Sequence, residues 1–381
     1  MVTMISVKYC GPYADHTGYG EANRNAIMAL VTAGCDVVTE KVSFTQKKGE
    51  YGVTYHMAED LSSKKSPCKI KILHVTPDLY KNHIEKGKYH IGHLFWETDK
   101  LPAKWVPSCN LMDEIWTGAP STAQAIKDSG VRQPIFVFPQ AINTKVTEAR
   151  PFKFTKDQAD KFIFYSIFEW KERKNPRALL TSFWKEFKDD KDVVLLIKTS
   201  LGDYTEEEKQ KILNDAKLWK ATMGYSSYPD VYLCIKLLNR EEMTRIHSTG
   251  HCFVSAHRGE GWGIPQVEAS ILGNPVISTR IGGVHEFWKG KHFRFVEYEM
   301  VPIDQTYDRY YEVGQNWAEV SEEHLRHRMR KMYETWKQPK GKQLLKLIGS
   351  QGKSFSQTNF SYEKVGRDMA LRLEIIERSI P

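Results

Sequence analysis

Ser255-Ala256-His257-Arg258-Gly259-Glu260-Gly261-Trp262-Gly263-Ile264-Pro265-Gln266-Val267-Glu268-Ala269-Ser270 is the stretch whose reading organises the chain. Cys252-Phe253-Val254 before it is a short apolar run of the kind that becomes a buried parallel strand. Glycines at alternate positions then let the backbone pass close to something bulky and leave N–H groups unpaired. Pro265 suits the first turn of a helix, where a missing N–H costs nothing. A strand, a glycine-rich turn and a helix start together hold an anion, because free amides and the helix dipole point at one place.

Glu260 lies in the turn, placed to accept hydrogen bonds from a polar neutral ligand. Glu268 is expected near the first helical turns, where the dipole keeps it ionised. Two acceptors bracketing an anion-binding turn suit a ligand with a diphosphate in the middle and hydroxyls at both ends. A nucleotide sugar has that shape.

The run Gly-Glu-Gly-Trp-Gly-Ile-Pro-x-x-Glu-Ala, followed by Gly273-Asn274-Pro275-Val276-Ile277-Ser278-Thr279 and Gly282-Gly283-Val284-x-Glu286-Phe287, resembles the E-x7-E glycosyltransferases. These are the retaining, family 4-like (group 1) enzymes of GT-B fold. The resemblance implies an α/β molecule in which two Rossmann-like doubly wound domains face each other across a cleft. It also implies transfer of a sugar from a UDP- or GDP-sugar to an acceptor hydroxyl, with no metal or other cofactor required.

Composition sets the bounds. A chain of 381 residues divides naturally into two domains. No apolar run is long enough for a membrane span, and the N-terminus enters a strand pattern without a leader-like segment. The six cysteines (10, 35, 68, 109, 234, 252) form no close pair, so the reading is a cytoplasmic, metal-free protein. The net charge of +8 fits a phosphate-bearing substrate and equally a polyanionic partner.

In chain order, residues 3–9 read as a strand. Gly11 to Gly20 form a glycine-rich turn, and a helix runs to about Leu30. In the resembled family this turn lies under the donor phosphates and lines the acceptor cleft. That marks Gly18 and Gly20 for the donor, and Asp15 and His16 for the acceptor; the alternative is a flexible turn without a ligand. Residues 41–71 carry seven lysines against three acids, interleaved with Phe44, Tyr51 and Tyr55. That mixture offers phosphate contacts and stacking surfaces to nucleic acid, or is a solvated loop over a few packed tyrosines. Ile91-Gly92-His93-Leu94-Phe95-Trp96-Glu97 also resembles part of the N-terminal domain in a subgroup of the family, which puts His93 against donor sugar and Glu97 against sugar or acceptor. Otherwise His93 is a strand histidine satisfied in the core.

Residues 143–160 are polar and make the best linker. The division expected is 1–150 for the acceptor, 151–360 for the nucleotide sugar, and 361–381 as a helix crossing back. Between strand Phe162–Phe168 and the helix from Pro176 lies Glu169-Trp170-Lys171-Glu172-Arg173-Lys174-Asn175. Cations at a strand end neutralise a diphosphate. The family's usual arginine position is Glu169 here, so Arg173 and Lys174 take the diphosphate and the place of Lys171 stays open. Asn175 is a candidate N-cap. Asp190-Lys191-Asp192 has the D-x-D form but reads as a solvated turn.

In the resembled arrangement Glu268 takes the ribose hydroxyls. Glu260 and the amides of Gly259, Gly261, Trp262, Gly263 and Ile264 surround the sugar and phosphates, and the catalytic set is Glu260, Arg173, Lys174 and His93. The acceptor is a glycan, or else a hydroxylated base in DNA or RNA. A third reading is a non-catalytic GT-B protein that only binds nucleic acid.

Overall fold

The computed structural model describes residues 5–45, 52–154, 156–290 and 293–380. The first half is one parallel sheet of β1 (Ser6–Gly11), β2 (Asp36–Lys41), β3 (Ile70–Leu73), β4 (Tyr89–His93), β5 (Glu114–Thr117) and β6 (Ile135–Val137), with helices α1 (Gly18–Thr32), α2 (Val53–Asp60), α3 (Val106–Cys109) and α4 (Pro120–Asp128). The second half repeats the design with β7 (Phe162–Glu169), β8 (Val193–Ser200), β9 (Asp230–Cys234), β10 (Cys252–Ser255), β11 (Val276–Thr279) and β12 (Phe293–Val296). Its helices are α5 (Pro176–Phe187), α6 (Glu206–Ala221), α7 (Arg240–Thr249), α8 (Ile264–Ile271), α9 (Glu322–Lys337) and α10 (Gly341–Phe360), and α11 (Tyr362–Ser379) closes the chain. This is the GT-B architecture.

Strand order places the site. The second sheet runs β9-β8-β7-β10-β11-β12, so the winding reverses between β7 and β10. The first runs β2-β1-β3-β4-β5-β6 and reverses between β1 and β3. Ligands of open α/β sheets bind beyond the carboxyl ends of the strands at such reversals. The turn after β10 and the cationic segment after β7 therefore meet at one switch point.

The strands are short apolar runs because both faces are covered. β8, Val-Val-Leu-Leu-Ile-Lys-Thr-Ser, is buried throughout. α1 buries Ala22, Ala26, Ala29 and Leu30, the residues of its apolar period, and α11 packs on this helix through Val365, Gly366, Met369 and Leu373. Arg372 of α11 also pairs with the fully buried Glu114 of β5. The last helix is thus built into the first half. The two crossings run side by side, with Ile142 N–H donating to Phe360 O at 2.8 Å. Segment 143–160 is pinned to the second half, since Phe152 N–H donates to Thr249 Oγ1 at 2.8 Å and Arg245 lies over the Phe152 ring.

Gly366 sits where any Cβ would overlap the Ala29 carbonyl. Alanine is the better helix former by about 1 kcal/mol, but forcing two backbones apart costs about 1–3 kcal/mol. Gly366→Ala is therefore expected to lower stability despite its propensity gain, read as a lower urea midpoint. An unchanged or higher midpoint would show that α11 is not docked this tightly.

Beyond residue 290, where the sequence loses its periodicity, the chain builds an antiparallel arm, β13 (Tyr298–Pro302) and β14 (Asn316–Val320). It belongs to the second half but grips the first. Asn316 N–H and Nδ2 donate to the two Asp99 oxygens at 2.6 and 2.7 Å, and Tyr311 stacks on Trp96 at 5.2 Å. The basic run on α9 faces inward in part: Arg326 and Arg330 pair with Glu186, and Arg330 with Asp190. The Asp190–Asp192 turn therefore anchors α9. Among the described residues no helix is long and apolar enough to cross a membrane.

Candidate active site

The three glycines after β10 do different work. Gly263 adopts φ 95° at the N-terminus of α8, a left-handed conformation natural to glycine. Gly259 and Gly261 do not; their need is space. A Cβ at Gly259 would overlap the Glu97 carbonyl, and one at Gly261 would lie 3.0 Å from Phe95 Cβ. The bulky neighbour is thus residues 95–97 of the facing half.

On the switch point's other side, the chain leaves β7 through a short turn at Glu172–Lys174 and enters α5 through Asn175. Asn175 holds φ 52°, which asparagine tolerates, and its side chain accepts from Ala178 N–H as an N-cap. Lys174 Nζ then donates to Glu260 Oε2 at 2.6 Å. Arg173 Nη1 donates to the Gly259 carbonyl at 2.7 Å and Nη2 faces Glu97 Oε1 at 3.4 Å. Lys171 turns to Glu169 at 3.0 Å instead. Burial alone would raise the Glu260 carboxyl, but Lys174 and Arg173 outweigh it and hold the group at about 2.

Glu97 is caught from two directions, by Arg173 and by the Tyr311 hydroxyl, which donates at 3.1 Å. The arm thereby joins the cleft, with Arg173 also lying over the Tyr311 ring at 5.6 Å. Tyr311 gives no sequence signal, because its stretch has no period.

Glu268 is ionised for another reason than the one anticipated. It occupies the fifth position of α8, beyond the first turn, and its oxygens face Arg240 (Oε1) and His247 Nε2 (Oε2, 3.2 Å). Burial opposes ionisation, and Arg240 and His247 overcome it, holding Glu268 at about 2. Arg240 also approaches Glu21 of α1 at 3.7 Å, so one guanidinium links both halves. Arg240 opens α7 within the Asn239–Glu242 capping box, a helix-start signal legible in the sequence.

Several residues expected at the donor or acceptor also have structural surroundings. The Trp262 ring is buried against Phe287 and Phe360, so only its backbone is left to face a ligand. Ile264 packs its side chain in the same cluster. Gly20 is required because a Cβ would overlap the Asp15 carbonyl, while Gly18 opens α1 in free space. The Asp15 carboxylate accepts from Phe44 N–H at 2.7 Å, and burial raises it. His16 is half-buried nearby, its imidazole pushed down by burial. His93 is buried at the end of β4, stacked on His74 at 4.2 Å.

The lysine segment is largely spoken for. Lys41 pairs with Glu59, Lys64 with Asp36, and Lys71 with Glu40 and Glu85. Lys47, Lys48, Glu50 and Tyr51 lie outside the described residues. Cys10, Glu40 and His83 come close enough to share a cation, but Lys8 and Lys71 already neutralise Glu40 at 2.8 Å each. Burial keeps the Cys10 thiol protonated.

Buried neutral imidazoles give a pH prediction. Burial lowers His93 and His257 to about 3, and His251 and His285 to about 4, from 6.5. Below 6.5 the unfolded chain takes up protons that the folded one refuses, so stability falls with falling pH. Below 4.5 the descent steepens, because the unfolded chain protonates these carboxyls while the fold keeps Glu260 and Glu268 ionised down to about 2. A urea midpoint constant from about pH 7 to about pH 4 would contradict this.

No family model matches the chain. It is 25% identical over 236 residues to a probable sucrose-phosphate synthase of Thermosipho melanesiensis, a match covering 57% of this chain and 48% of that relative. The chain thus aligns with about half the length of its curated relative. The sucrose-phosphate synthase of Thermosynechococcus elongatus superposes with TM-score 0.69 at 12% identity, covering 98% of this chain and 100% of the other. The Anabaena HepE structure, in complex with UDP-glucose, superposes with TM-score 0.68 at 10% identity, covering 97% and 100%.

Proposed function

We propose that the chain is a retaining glycosyltransferase that takes a sugar from a nucleoside-diphosphate sugar, UDP-sugar first among the candidates, and passes it to a hydroxyl of a glycan. The observation that carries this reading is the convergence of Arg173, Lys174 and Glu260 at the β7/β10 switch point, beside the N-terminus of α8 and under Glu97 of the facing half. The UDP-glucose complex of the Anabaena HepE structure supports the choice of donor.

On this reading residues 151–360 hold the donor and 1–150 the acceptor, with 361–381 crossing back. The diphosphate lies against Arg173, Lys174 and the amides at the start of α8. The difficult step is departure of the nucleoside diphosphate, whose growing negative charge these groups stabilise without reorganising. The acceptor hydroxyl attacks from the leaving-group face, and the departing phosphate takes its proton, which gives retention without a covalent enzyme intermediate. The cationic charge comes from the chain itself, so no metal is needed.

A hydroxylated nucleic-acid base is the lesser reading, because Lys41, Lys64 and Lys71 of segment 41–71 are paired internally. The decisive experiment incubates the protein with UDP- and GDP-sugars, alone and with oligosaccharides or hydroxymethylated DNA, with and without chelator. Products are read by mass. Donor consumption with glycan addition supports the proposal. Addition to DNA alone would replace the acceptor, and no donor consumption under any condition would refute the enzyme.

A further inference from the structure

Residues 96–99 of the first half are each met by the arm of the second. Trp96 stacks on Tyr311 at 5.2 Å with 20° between the rings, and Glu97 Oε2 accepts from the Tyr311 hydroxyl at 3.1 Å. Thr98 Oγ1 lies 3.3 Å from Gln315 Oε1, and Asp99 clasps Asn316. The arm is rooted beside the two turns of the switch point. Ala318 N–H donates to the Arg258 carbonyl at 2.8 Å, and Glu319 accepts from Asn175 Nδ2 at 2.9 Å. Arg258 precedes Gly259 in sequence, and Asn175 follows Lys174. Tyr311 is buried, which keeps its phenol protonated and a donor.

An arginine and a carboxylate left to themselves close into a forked pair, with N···O contacts of about 2.7–2.9 Å. Arg173 and Glu97 do not. Their nearest approach is 3.4 Å, from Nη2 to Oε1. Among the described residues the Arg173 guanidinium makes one hydrogen bond, from Nη1 to the Gly259 carbonyl at 2.7 Å, and its Nε is buried without a partner. The other Glu97 oxygen is the one that accepts from Tyr311. A fork needs both carboxylate oxygens, and the phenol holds one of them. Most of the five guanidinium N–H donors are therefore not engaged by protein acceptors among the described residues. Lys174 shows the alternative, since Glu260 holds its ammonium directly at 2.6 Å.

We propose that Tyr311 is a positioning residue for the diphosphate: its hydroxyl holds the Glu97 carboxylate off the Arg173 guanidinium, so that the donors of Arg173 are free for phosphate oxygens. This rests on the nucleotide-sugar reading above. Without the hydroxyl, Glu97 closes on Arg173, and a phosphate must then displace a carboxylate already in place. Affinity falls by the fraction of molecules whose guanidinium is still open, so a fork closed about nine times in ten raises Kd about tenfold. The ring has a separate task. It stacks on Trp96 and lies beneath Arg173, and a phenylalanine would do both.

The test is a double-mutant cycle read by calorimetry with UDP and with GDP, so that contacts to the sugar do not enter. Tyr311→Phe is expected to weaken the bound nucleotide about tenfold where Glu97 is present. In Glu97→Gln, whose amide cannot form the charged fork, the same change should cost less than about twofold. An equal or larger loss in the Glu97→Gln background would make the phenol a direct ligand or a packing group, and no loss in either would make its hydroxyl idle; each overturns the proposal. A crystal structure of Tyr311→Phe should show Glu97 in two hydrogen bonds to Arg173, and a persisting 3.4 Å gap would overturn it as well. Binding of neither nucleotide to the unaltered protein would sink the nucleotide-sugar reading and the phosphate role together, with that crystal structure still deciding whether Tyr311 holds the two side chains apart.

Discussion

Lys174→Ala is expected to lower transfer about 10²–10³-fold, the usual loss when one preorganised group facing a developing anion is removed. The variant must be separated from a merely weakened fold. Lys174 and Glu260 are both largely buried and 2.6 Å apart, so removing the lysine strands a carboxylate. Breaking such a pair costs about 3–5 kcal/mol, whereas deleting both partners costs far less. Stability and catalysis should therefore part in the double variant. Lys174→Ala loses both, and Lys174→Ala/Glu260→Ala regains much of the stability but none of the turnover. Arg173 and Gln266 still face position 260 in the single variant, which keeps the local structure in place at moderate temperature. Rates measured with any donor the protein consumes, beside unfolding midpoints, decide the matter. Recovery of turnover in the double variant would mean the lysine serves only to neutralise its neighbour, and the phosphate assignment would fall.

The parts of this site that could be read in the sequence are those whose meaning is local. Strand, glycine turn and Pro265 helix start are consecutive, so Glu260 and its surroundings follow from periodicity and backbone chemistry. Arg173 and Lys174 follow from cations at a strand end, and Asn175 from its cap position. What was missed depends on distant chain. The packing role of the Trp262 ring is one such feature, because nothing local says that Phe287 and Phe360 enclose it. The side chain that holds Glu268 ionised was out of local reach for the same reason, since Arg240 sits 28 residues away in sequence. The Asp99–Asn316 clasp spans 217 residues, and the arm that carries it has no apolar period to announce it. His74 and His93 meet only because the sheet order sets β3 and β4 side by side.

Glu268→Gln is expected to weaken UDP binding about 10–100-fold, and its reasoning turns on lone pairs. A carboxylate offers about four acceptor positions. Arg240 and His247 take one on each oxygen, which leaves one on each oxygen for a ribose diol. Glutamine keeps the shape but replaces one oxygen by an amide that can only donate. That amide meets a donor either way, the Arg240 guanidinium or His247 Nε2–H, and in both orientations it denies the ribose one of its two acceptors. Hydrogen bonds to a charged partner contribute about 1.5–3 kcal/mol each, so losing one of them accounts for the expected range. Arg240→Gln separates the two effects. It removes one of the two partners of Glu268 but leaves both carboxyl oxygens and His247 in place, so its cost should fall on stability more than on UDP. The pair of variants is read by calorimetry with UDP and by unfolding midpoints. Unaltered UDP affinity in Glu268→Gln would place the ribose elsewhere, and a larger UDP loss in Arg240→Gln would make the guanidinium, rather than the carboxylate, the group that grips the nucleotide.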